Sequence, residues 1–160
     1  MHILTYDGSF VGFLSAVFCL YADFAYARTP ADEFSLLKDG TTAARTGDLF
    51  VPMTHIGSDS GKADRVLKTL EKLFSRAGVQ RLLLAFLSEV PEVENKLLAT
   101  IRYALSIPGR AVLHDHAHPA VSEINRLAYA VCRERHRLLG FVRFEKTRTG
   151  IYFAQIAPEY

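Results

Sequence analysis

Apolar residues recur at helical spacing near the amino terminus, directly after a short apolar run. That run, His2 to Tyr6, is typical of a strand and ends at the turn signal Asp7-Gly8. Ser9 is placed to cap the helix that follows, whose apolar stripe contains Phe10, Leu14, Val17, Phe18 and Tyr21. The chain is therefore predicted to begin with one strand and one amphipathic helix.

The middle of the chain carries the same periodicity over longer stretches. Apolar residues from Ala63 to Ala77 fall on one face of a helix that Asp59 or Ser60 can cap and that Gly78 is placed to end. Prolines and glycines separate the helices that come next. The predicted helices of this region cover residues 60–77, 79–89, 93–107 and 119–139.

Strand signals are confined to the two ends of the chain. Leu49 to Ile56 favours a strand at a sheet edge, because Pro52 cannot donate a ladder hydrogen bond. Phe141 to Lys146 and Ile151 to Ala157 favour a hairpin. The polar region from Ala27 to Gly47 is either a long surface connection or contains a poorly signalled helix around Asp32 to Lys38. The predicted fold class is α+β, with about five helices and a small, mainly antiparallel sheet formed by the N-terminal strands and the C-terminal hairpin.

The composition is that of a globular chain forming a single domain over residues 1–160. Hydrophobic residues make up 49% and charged residues 22%, which excludes a disordered chain, a collagen-like repeat and a coiled-coil rod. Cys19 and Cys132 lie in apolar helical contexts, which favours a reducing compartment. The longest charge-free stretch, Gly8 to Ala22, is too short to span a membrane. We therefore expect a soluble, cytoplasmic protein.

The formal net charge of +2 hides an asymmetry along the chain. Residues 1–60 carry three basic and seven acidic residues, for −4, whereas residues 61–160 carry sixteen and ten, for +6. Because each helical residue turns by 100°, Lys62, Arg65, Lys72 and Arg76 fall within an arc of about 80° on helix 60–77, and Arg126, Arg133 and Arg137 fall within an arc of about 40° on helix 119–139. Two helices are thus predicted to present basic stripes opposite their apolar faces.

These stripes are either the solvated sides of amphipathic helices or a surface that neutralises phosphates. The second interpretation requires the fold to bring the two stripes together. Tyr103, Tyr129 and Tyr152 can stack on bases, although buried packing is the commoner role of tyrosine. The residues predicted to bind nucleic acid are Lys62, Arg65, Lys72, Arg76, Arg126, Arg133, Arg137 and Arg143.

A histidine-rich segment, residues 114–118, has the residue types of a metal site. In an extended segment His114, His116 and His118 would project to one side and could share an ion. In the alternative interpretation, the segment is a polar connection that leads into or caps the next helix. We predict no bound metal and no cofactor, and we keep these histidines as the candidate ligands of a metal-dependent hydrolase.

The end of helix 119–139 concentrates charge. Arg135 projects onto the apolar side of this helix, where a buried guanidinium needs a carboxylate partner from elsewhere in the fold. His136 is either a structural histidine or, with Arg137, a general acid or phosphate ligand. His136 and Arg137 are therefore the candidate catalytic residues, and whether the protein is an enzyme stays open.

Several motifs, in this order along the chain, resemble a bacterial family described as DNA metabolism or DNA repair proteins. The motifs are Tyr6-Asp7-Gly8-Ser9-Phe10, Asp59 with Ala63-Asp64-Arg65-Val66, Glu134-Arg135-His136-Arg137 with Gly140-Phe141-Val142-Arg143-Phe144, and Gly150-Ile151-Tyr152-Phe153-Ala154 with Ile156-Ala157-Pro158. The resemblance implies a gene neighbour encoding a radical SAM DNA repair protein and, in some members, fusion to a uracil-DNA glycosylase-like domain. It also implies that the chain corresponds to the N-terminal portion of a longer family architecture. It supplies no catalytic residues.

The sequence and the resemblance together favour a DNA repair or DNA metabolism protein that binds nucleic-acid phosphate and works with a radical SAM partner. One alternative is an adaptor that contacts only that partner protein. The other alternative is the metal-dependent hydrolase that uses the His114 to His118 segment.

Overall fold

A computed structural model of the chain describes residues 2–23, 33–40, 52–107 and 111–154. The helices are α1 (Phe10–Ala22), α2 (Ser60–Phe86), α3 (Val93–Ser106) and α4 (Pro119–Phe141), with a short 3-10 helix (Val112–His114) before α4. The strands are β1 (His2–Tyr6), β2 (Phe34–Lys38), β3 (Met53–Ile56), β4 (Glu145–Lys146) and β5 (Tyr152–Phe153). None of the helices in these stretches is long and apolar enough to cross a membrane.

The larger sheet is parallel, so the prediction of a mainly antiparallel sheet was wrong. Its strand order is β2-β1-β3, and β1 pairs in parallel with both neighbours, Thr5 lying opposite Leu37 and His55. Parallel neighbours need a long crossover, and α1 lies in the crossover from β1 to β2. Strands β4 and β5 form a separate antiparallel pair. The strand patterns in the sequence do not specify which strands pair, and this is why the topology was missed.

The number of helices also differs from the predicted five, because the segments 60–77 and 79–89 form one helical element, α2. This element is kinked at Ser75, whose φ of 64° and ψ of 168° are not helical. Gly78 was predicted to end the helix but lies buried within it, where a Cβ atom would come within 2.7 Å of the Phe74 Cβ. The glycine therefore permits close packing rather than a helix end.

Two other predicted elements change at their boundaries. Phe34–Lys38 forms a strand with Phe34 and Leu36 buried, so the prediction of a helix around Asp32 to Lys38 was wrong, and residues 27–32 and 41–47 of the predicted polar region lie outside the described residues. The predicted hairpin is reduced to the two-residue strands β4 and β5, because α4 continues to Phe141. Residues 49–51 of the predicted Leu49 to Ile56 strand and residues 155–157 of the hairpin lie outside the described residues.

The opening elements follow the prediction closely. Helix α1 starts after Ser9, whose side chain accepts a hydrogen bond from the Gly12 amide, and α2 starts after Asp59, which accepts one from the Lys62 amide. Pro119 occupies the first turn of α4, as expected. The core joins β1 and β2 to all four helices, with Tyr6, Phe13 and Phe86 packed ring against ring.

Candidate functional site

Helix α4 loses contact with the core halfway along its length. Its buried residues, Val121, Ile124, Leu127 and Ala128, all lie in the first half. No residue from Tyr129 to Ala154 is buried. We call residues 129–154 the C-terminal arm; it comprises the second half of α4 and the β4–β5 ribbon.

The C-terminal arm combines exposed apolar side chains with an excess of positive charge. Six apolar or aromatic side chains following the arginine-rich part of α4 are each at least 50% exposed: Leu139, Phe141, Phe144, Ile151, Tyr152 and Phe153. The acidic residues of the arm are Glu134 and Glu145, and its basic residues are Arg133, Arg135, Arg137, Arg143, Lys146 and Arg148. The Lys146 ammonium lies 5.6 Å from the centroid of the Tyr152 ring. The arm thus presents cations and aromatic rings to solvent on the same short segment.

Arg135 is exposed, so the prediction that its guanidinium is buried against a carboxylate was wrong. Its Nη2 donates a long hydrogen bond of 3.8 Å to the Cys132 Sγ within α4. The physical reason is that, among the residues that the structure describes, the buried positions of α4 end at Ala128, so the apolar side of the helix is not covered at Arg135. His136 is exposed as well, and Arg137 donates a hydrogen bond of 2.8 Å to Glu134. The structure gives neither candidate catalytic residue a buried or enclosed setting, and their catalytic role stays a prediction.

The basic residues of α2 lie against α1 and around the kink. Both Lys62 and Arg65 lie over the ring of Phe18, with the Arg65 Cζ 4.9 Å from its centroid. The Lys62 Nζ also lies 3.5 Å from the Cys19 Sγ. Lys72 and Arg76 flank Ser75 and are exposed. The α2 stripe therefore borders α1, whereas the α4 stripe continues into the C-terminal arm.

Arg126, the first residue of the α4 stripe, is held in an ion-pair network. It donates two hydrogen bonds, of 2.8 and 2.9 Å, to the Glu123 carboxylate, which also accepts one of 3.0 Å from the Lys96 Nζ of α3. The hydrogen bonds that Arg126 and Lys96 donate lower the pKa of Glu123 to about 2, and the hydrogen bonds to Glu123 raise the pKa of Arg126. Arg126 is consequently less available for a phosphate than Arg133 and Arg143 of the arm.

The low pKa of Glu123 predicts how stability depends on pH. A folded-state pKa near 2 lies below the ordinary value of 4.5, so the carboxylate contributes stability above about pH 4.5 that is lost as the pH falls towards 2. A carbon-detected NMR titration should therefore place the midpoint of the Glu123 carboxyl near pH 2. A Glu123→Gln variant should lose the corresponding part of the acid dependence of unfolding. A midpoint at or above pH 4 would contradict the network.

The histidine segment does not adopt the extended conformation that would align its imidazoles. His114 ends the 3-10 helix, His116 is exposed, and the His118 ring stacks on Tyr103 at a centroid distance of 4.0 Å. Asp115 accepts hydrogen bonds from the Tyr103 hydroxyl and from the Ala117 amide, and the first of these lowers its pKa most. Within the described residues, no group of three or more His, Cys, Asp or Glu could hold a metal ion. The segment connects the 3-10 helix to α4, the N-cap residue His118 makes no side-chain capping hydrogen bond, and metal binding by His114, His116 and His118 stays a prediction.

A polar cluster lies where the parallel strands β1 and β3 end. Asp7 follows β1 and accepts hydrogen bonds from the Ser9 amide and hydroxyl, at 2.9 and 2.7 Å, and from the Ser58 hydroxyl at 2.6 Å. The Ser58 and Ser9 bonds lower the pKa of Asp7. In open parallel sheets, ligands commonly bind beyond the carboxyl ends of two adjacent strands whose following connections run in opposite directions. Here the polar groups bind one another and begin α1, so the cluster stabilises the sheet edge.

Gly12 is required by this cluster. A Cβ atom at position 12 would lie 2.2 Å from the Asp7 Oδ1 and 2.9 Å from the Ser58 Oγ. Beside the cluster, the His55 Nδ1 lies 3.1 Å from the Asp39 Oδ2, which links the ends of β3 and β2. These contacts were missed because they depend on the parallel pairing of three strands. Had β1 and β3 been recognised as parallel neighbours, the positions of Asp7 and Ser58 just beyond them would have indicated the cluster.

Helices α3 and α4 and the C-terminal arm occupy one continuous part of the sequence. Residues 91–160 match DUF4130, a domain of unknown function. The match covers less than half of the chain and leaves β1, β2, β3, α1 and α2 outside. No curated protein and no solved structure matches the chain. The comparison therefore links the C-terminal part to a family of unknown function and assigns no activity.

The DUF4130-like segment, residues 91–160, shares its core with the strands that precede it. The buried Tyr6 hydroxyl of β1 donates a hydrogen bond of 2.7 Å to the buried Glu94 of α3. Asn95 accepts one of 3.2 Å from the Leu36 amide of β2. The arm is consequently the part of the DUF4130-like segment that extends beyond the common core.

Among the exposed aromatic residues of the arm, Tyr129 and Tyr152 were named in the sequence analysis as rings that can stack on bases, whereas Phe141, Phe144 and Phe153 were not considered. The sequence pattern assigned Phe141, Phe144 and Phe153 to a hairpin. The available signal was local, because six basic residues and four aromatic residues lie close together between positions 133 and 153.

Proposed function

We propose that the protein binds nucleic acid through its C-terminal arm. The observation that carries the proposal is that one segment, the C-terminal arm, exposes both aromatic rings and cations, and that these side chains are not buried in the core. Cations neutralise the phosphates, and aromatic faces accept bases of any identity. This combination fits single-stranded nucleic acid best, since only unpaired bases can stack on side chains.

The phosphate contacts of this proposal come from four exposed basic residues, Arg133, Arg143, Lys146 and Arg148. Arg133 and Arg143 were predicted from the sequence; Lys146 and Arg148 extend the predicted surface. Phe144 and Tyr152 are the proposed stacking platforms, each more than 60% exposed. Lys146 lies directly opposite Tyr152 in the ribbon, so a base stacked on that ring has a cation within reach of its phosphate.

The biological setting of the proposal rests on the resemblance described in the sequence analysis. It supports DNA as the nucleic acid, DNA repair or DNA metabolism as the process, and a radical SAM protein as the partner. The DUF4130 match is compatible with this setting and names no activity of its own.

The dependence of affinity on salt tests the proposal. Each phosphate neutralised on a single strand contributes about −0.7 to the slope of log affinity against log salt concentration, so four contacts predict a slope of about −3. The measurement is fluorescence anisotropy with a labelled oligothymidylate of about 20 nucleotides, between about 50 and 300 mM salt. A slope near zero would contradict the proposal.

A second candidate function is the adaptor, and the aliphatic part of the arm favours it. Leu139 and Ile151 are 75% and 65% exposed, and aliphatic side chains stack poorly on bases but pack well against a protein. In that case, the arm would bind the radical SAM partner, with its basic residues facing an acidic surface. Co-purification that persists after nuclease treatment, without affinity of the isolated protein for DNA, would favour the adaptor.

A further inference from the structure

A cavity of about 450 Å³ lies at the kink of α2, and no residue of the C-terminal arm lines it. One wall is formed by α2 on both sides of Ser75, and the other by residues 111–114. Gly78 allows this close approach, because a Cβ atom there would lie 3.1 Å from the Leu113 Cδ1 as well as against Phe74. The volume is within the range of pockets that hold small organic ligands.

The charged groups that line the cavity are cationic or imidazole groups. They are Lys72 from the first half of α2, Arg81 from the second half, and His114 from the 3-10 helix. Among the lining residues of the described chain there is no aspartate or glutamate. An anion therefore meets attractive side chains from three directions.

Arg81 is held in place before any ligand arrives. Its Nη1 donates a hydrogen bond of 3.1 Å to the Asn125 Oδ1, and the Asn125 Nδ2 donates one of 2.8 Å to the Leu113 carbonyl. The guanidinium has five N–H donors, so this single bond leaves donors for a ligand. A preorganised guanidinium loses less entropy when it binds an oxyanion.

The kink adds a feature that an unbroken helix would lack. Ser75 has a conformation that is strained for a residue other than glycine, and its Oγ accepts a hydrogen bond of 3.4 Å from the Gly78 amide, as the cap of a new helix does. Residues 76–86 thus begin beside the cavity with the positive end of their dipole. This supplements the three side chains and is not needed to define the site.

We propose that the cavity binds a phosphate monoester. The phosphate lies among Lys72, Arg81 and His114, and the organic group lies against the apolar part of the lining, which includes Leu73, Phe74 and Leu113. The phosphate belongs either to a free mononucleotide or to the phosphorylated end of a nucleic-acid strand. No residue of the C-terminal arm lines the cavity, so this proposal does not depend on nucleic-acid binding by the arm.

Isothermal titration of the full chain with thymidine 5′-monophosphate, thymidine and inorganic phosphate tests the proposal. We expect saturable binding of the monophosphate, weaker binding of inorganic phosphate, and none of thymidine. Lys72→Glu and Arg81→Gln should each weaken binding of the monophosphate by at least about tenfold, because each variant removes one charge-assisted hydrogen bond to the phosphate. Lys68→Glu, an exposed residue of α2 that does not line the cavity, is the matched control and should change affinity less than about twofold.

Three results would overturn the proposal. They are the absence of saturable binding, equal binding of thymidine and its monophosphate, and an equal loss in the Lys68→Glu control. Lys72→Glu and Lys68→Glu alter exposed positions, so both variants should fold, and a thermal melt verifies this for Arg81→Gln.

Short oligothymidylates that carry either a 5′-phosphate or a 5′-hydroxyl distinguish the two sources of the phosphate. Lys72-dependent binding of the phosphorylated oligonucleotide that is tighter than binding of both the 5′-hydroxyl oligonucleotide and the mononucleotide supports the site as a receptor for a strand end. Equal binding supports it as a mononucleotide site.

Discussion

Replacing Phe144 and Tyr152 together by alanine is expected to weaken binding of single-stranded DNA by at least about thirtyfold. Stacking of a base on an aromatic side chain contributes about 1–3 kcal/mol, so two platforms contribute at least about 2 kcal/mol. Both rings are more than 60% exposed, so their removal should leave the thermal unfolding temperature almost unchanged. Anisotropy titrations with the labelled oligothymidylate at fixed salt measure the loss.

The control for this prediction is Leu87→Ala, which removes an apolar side chain that is 52% exposed outside the arm. It should leave the affinity for DNA unchanged. If the Phe144→Ala/Tyr152→Ala variant binds DNA as tightly as the unaltered protein, the aromatic rings do not stack on bases, and the proposed binding mode is wrong.

Replacing Tyr6 by phenylalanine is expected to lower the free energy of unfolding by about 2–4 kcal/mol. Burial and the hydrogen bond to Glu94 raise the pKa of Tyr6, so its hydroxyl remains a donor throughout the ordinary pH range. Without that donor, the carboxyl group of Glu94, only 5% exposed, loses the partner that compensates its burial. Urea denaturation monitored by circular dichroism measures the change.

A double variant separates this effect from simple loss of packing. In Tyr6→Phe/Glu94→Leu both polar partners are replaced by apolar groups, which is expected to recover part of the stability lost in the single variant. A loss below about 0.5 kcal/mol for Tyr6→Phe alone would mean that the hydrogen bond contributes little to joining β1 and α3.

Local features of the fold could be predicted because local chemistry determines them. The start of α1 at Ser9 and of α2 at Asp59 follows from side chains that satisfy free backbone amides, and the apolar stripe of α1 follows from its periodicity. The parallel sheet could not be predicted in this way. The strands that pair with β1 lie at residues 34–38 and 53–56, and the residue pattern of β1 does not indicate which segments it pairs with. Strand β2 was missed because its buried residues alternate over only five positions.

In the candidate site too, features that local sequence determines could be predicted, and features that depend on the tertiary structure could not. The basic residues of α4 could be identified from helical geometry, but whether they face a core, a partner or solvent depends on where the core ends. Arg135 was misjudged for this reason, because the apolar side of α4 continues past Ala128 while the core does not. The cavity at Ser75 could not be predicted from the sequence, because it depends on a strained backbone conformation that the spacing of apolar residues does not indicate.

The most direct test of the central claim compares salt dependence in two variants with the same number of neutralised charges. One replaces the arm residues Arg133, Arg143, Lys146 and Arg148 by glutamine, and the other replaces the α2 residues Lys62, Arg65, Lys72 and Arg76. The ligand is an oligothymidylate with a 5′-hydroxyl, and the quantity compared is the slope of log affinity against log salt concentration. In the arm variant the magnitude of this slope should fall by about 3, whereas the α2 variant should have the same slope as the unaltered protein. An unchanged slope in the arm variant would contradict the account, most clearly if the α2 variant lost its slope instead.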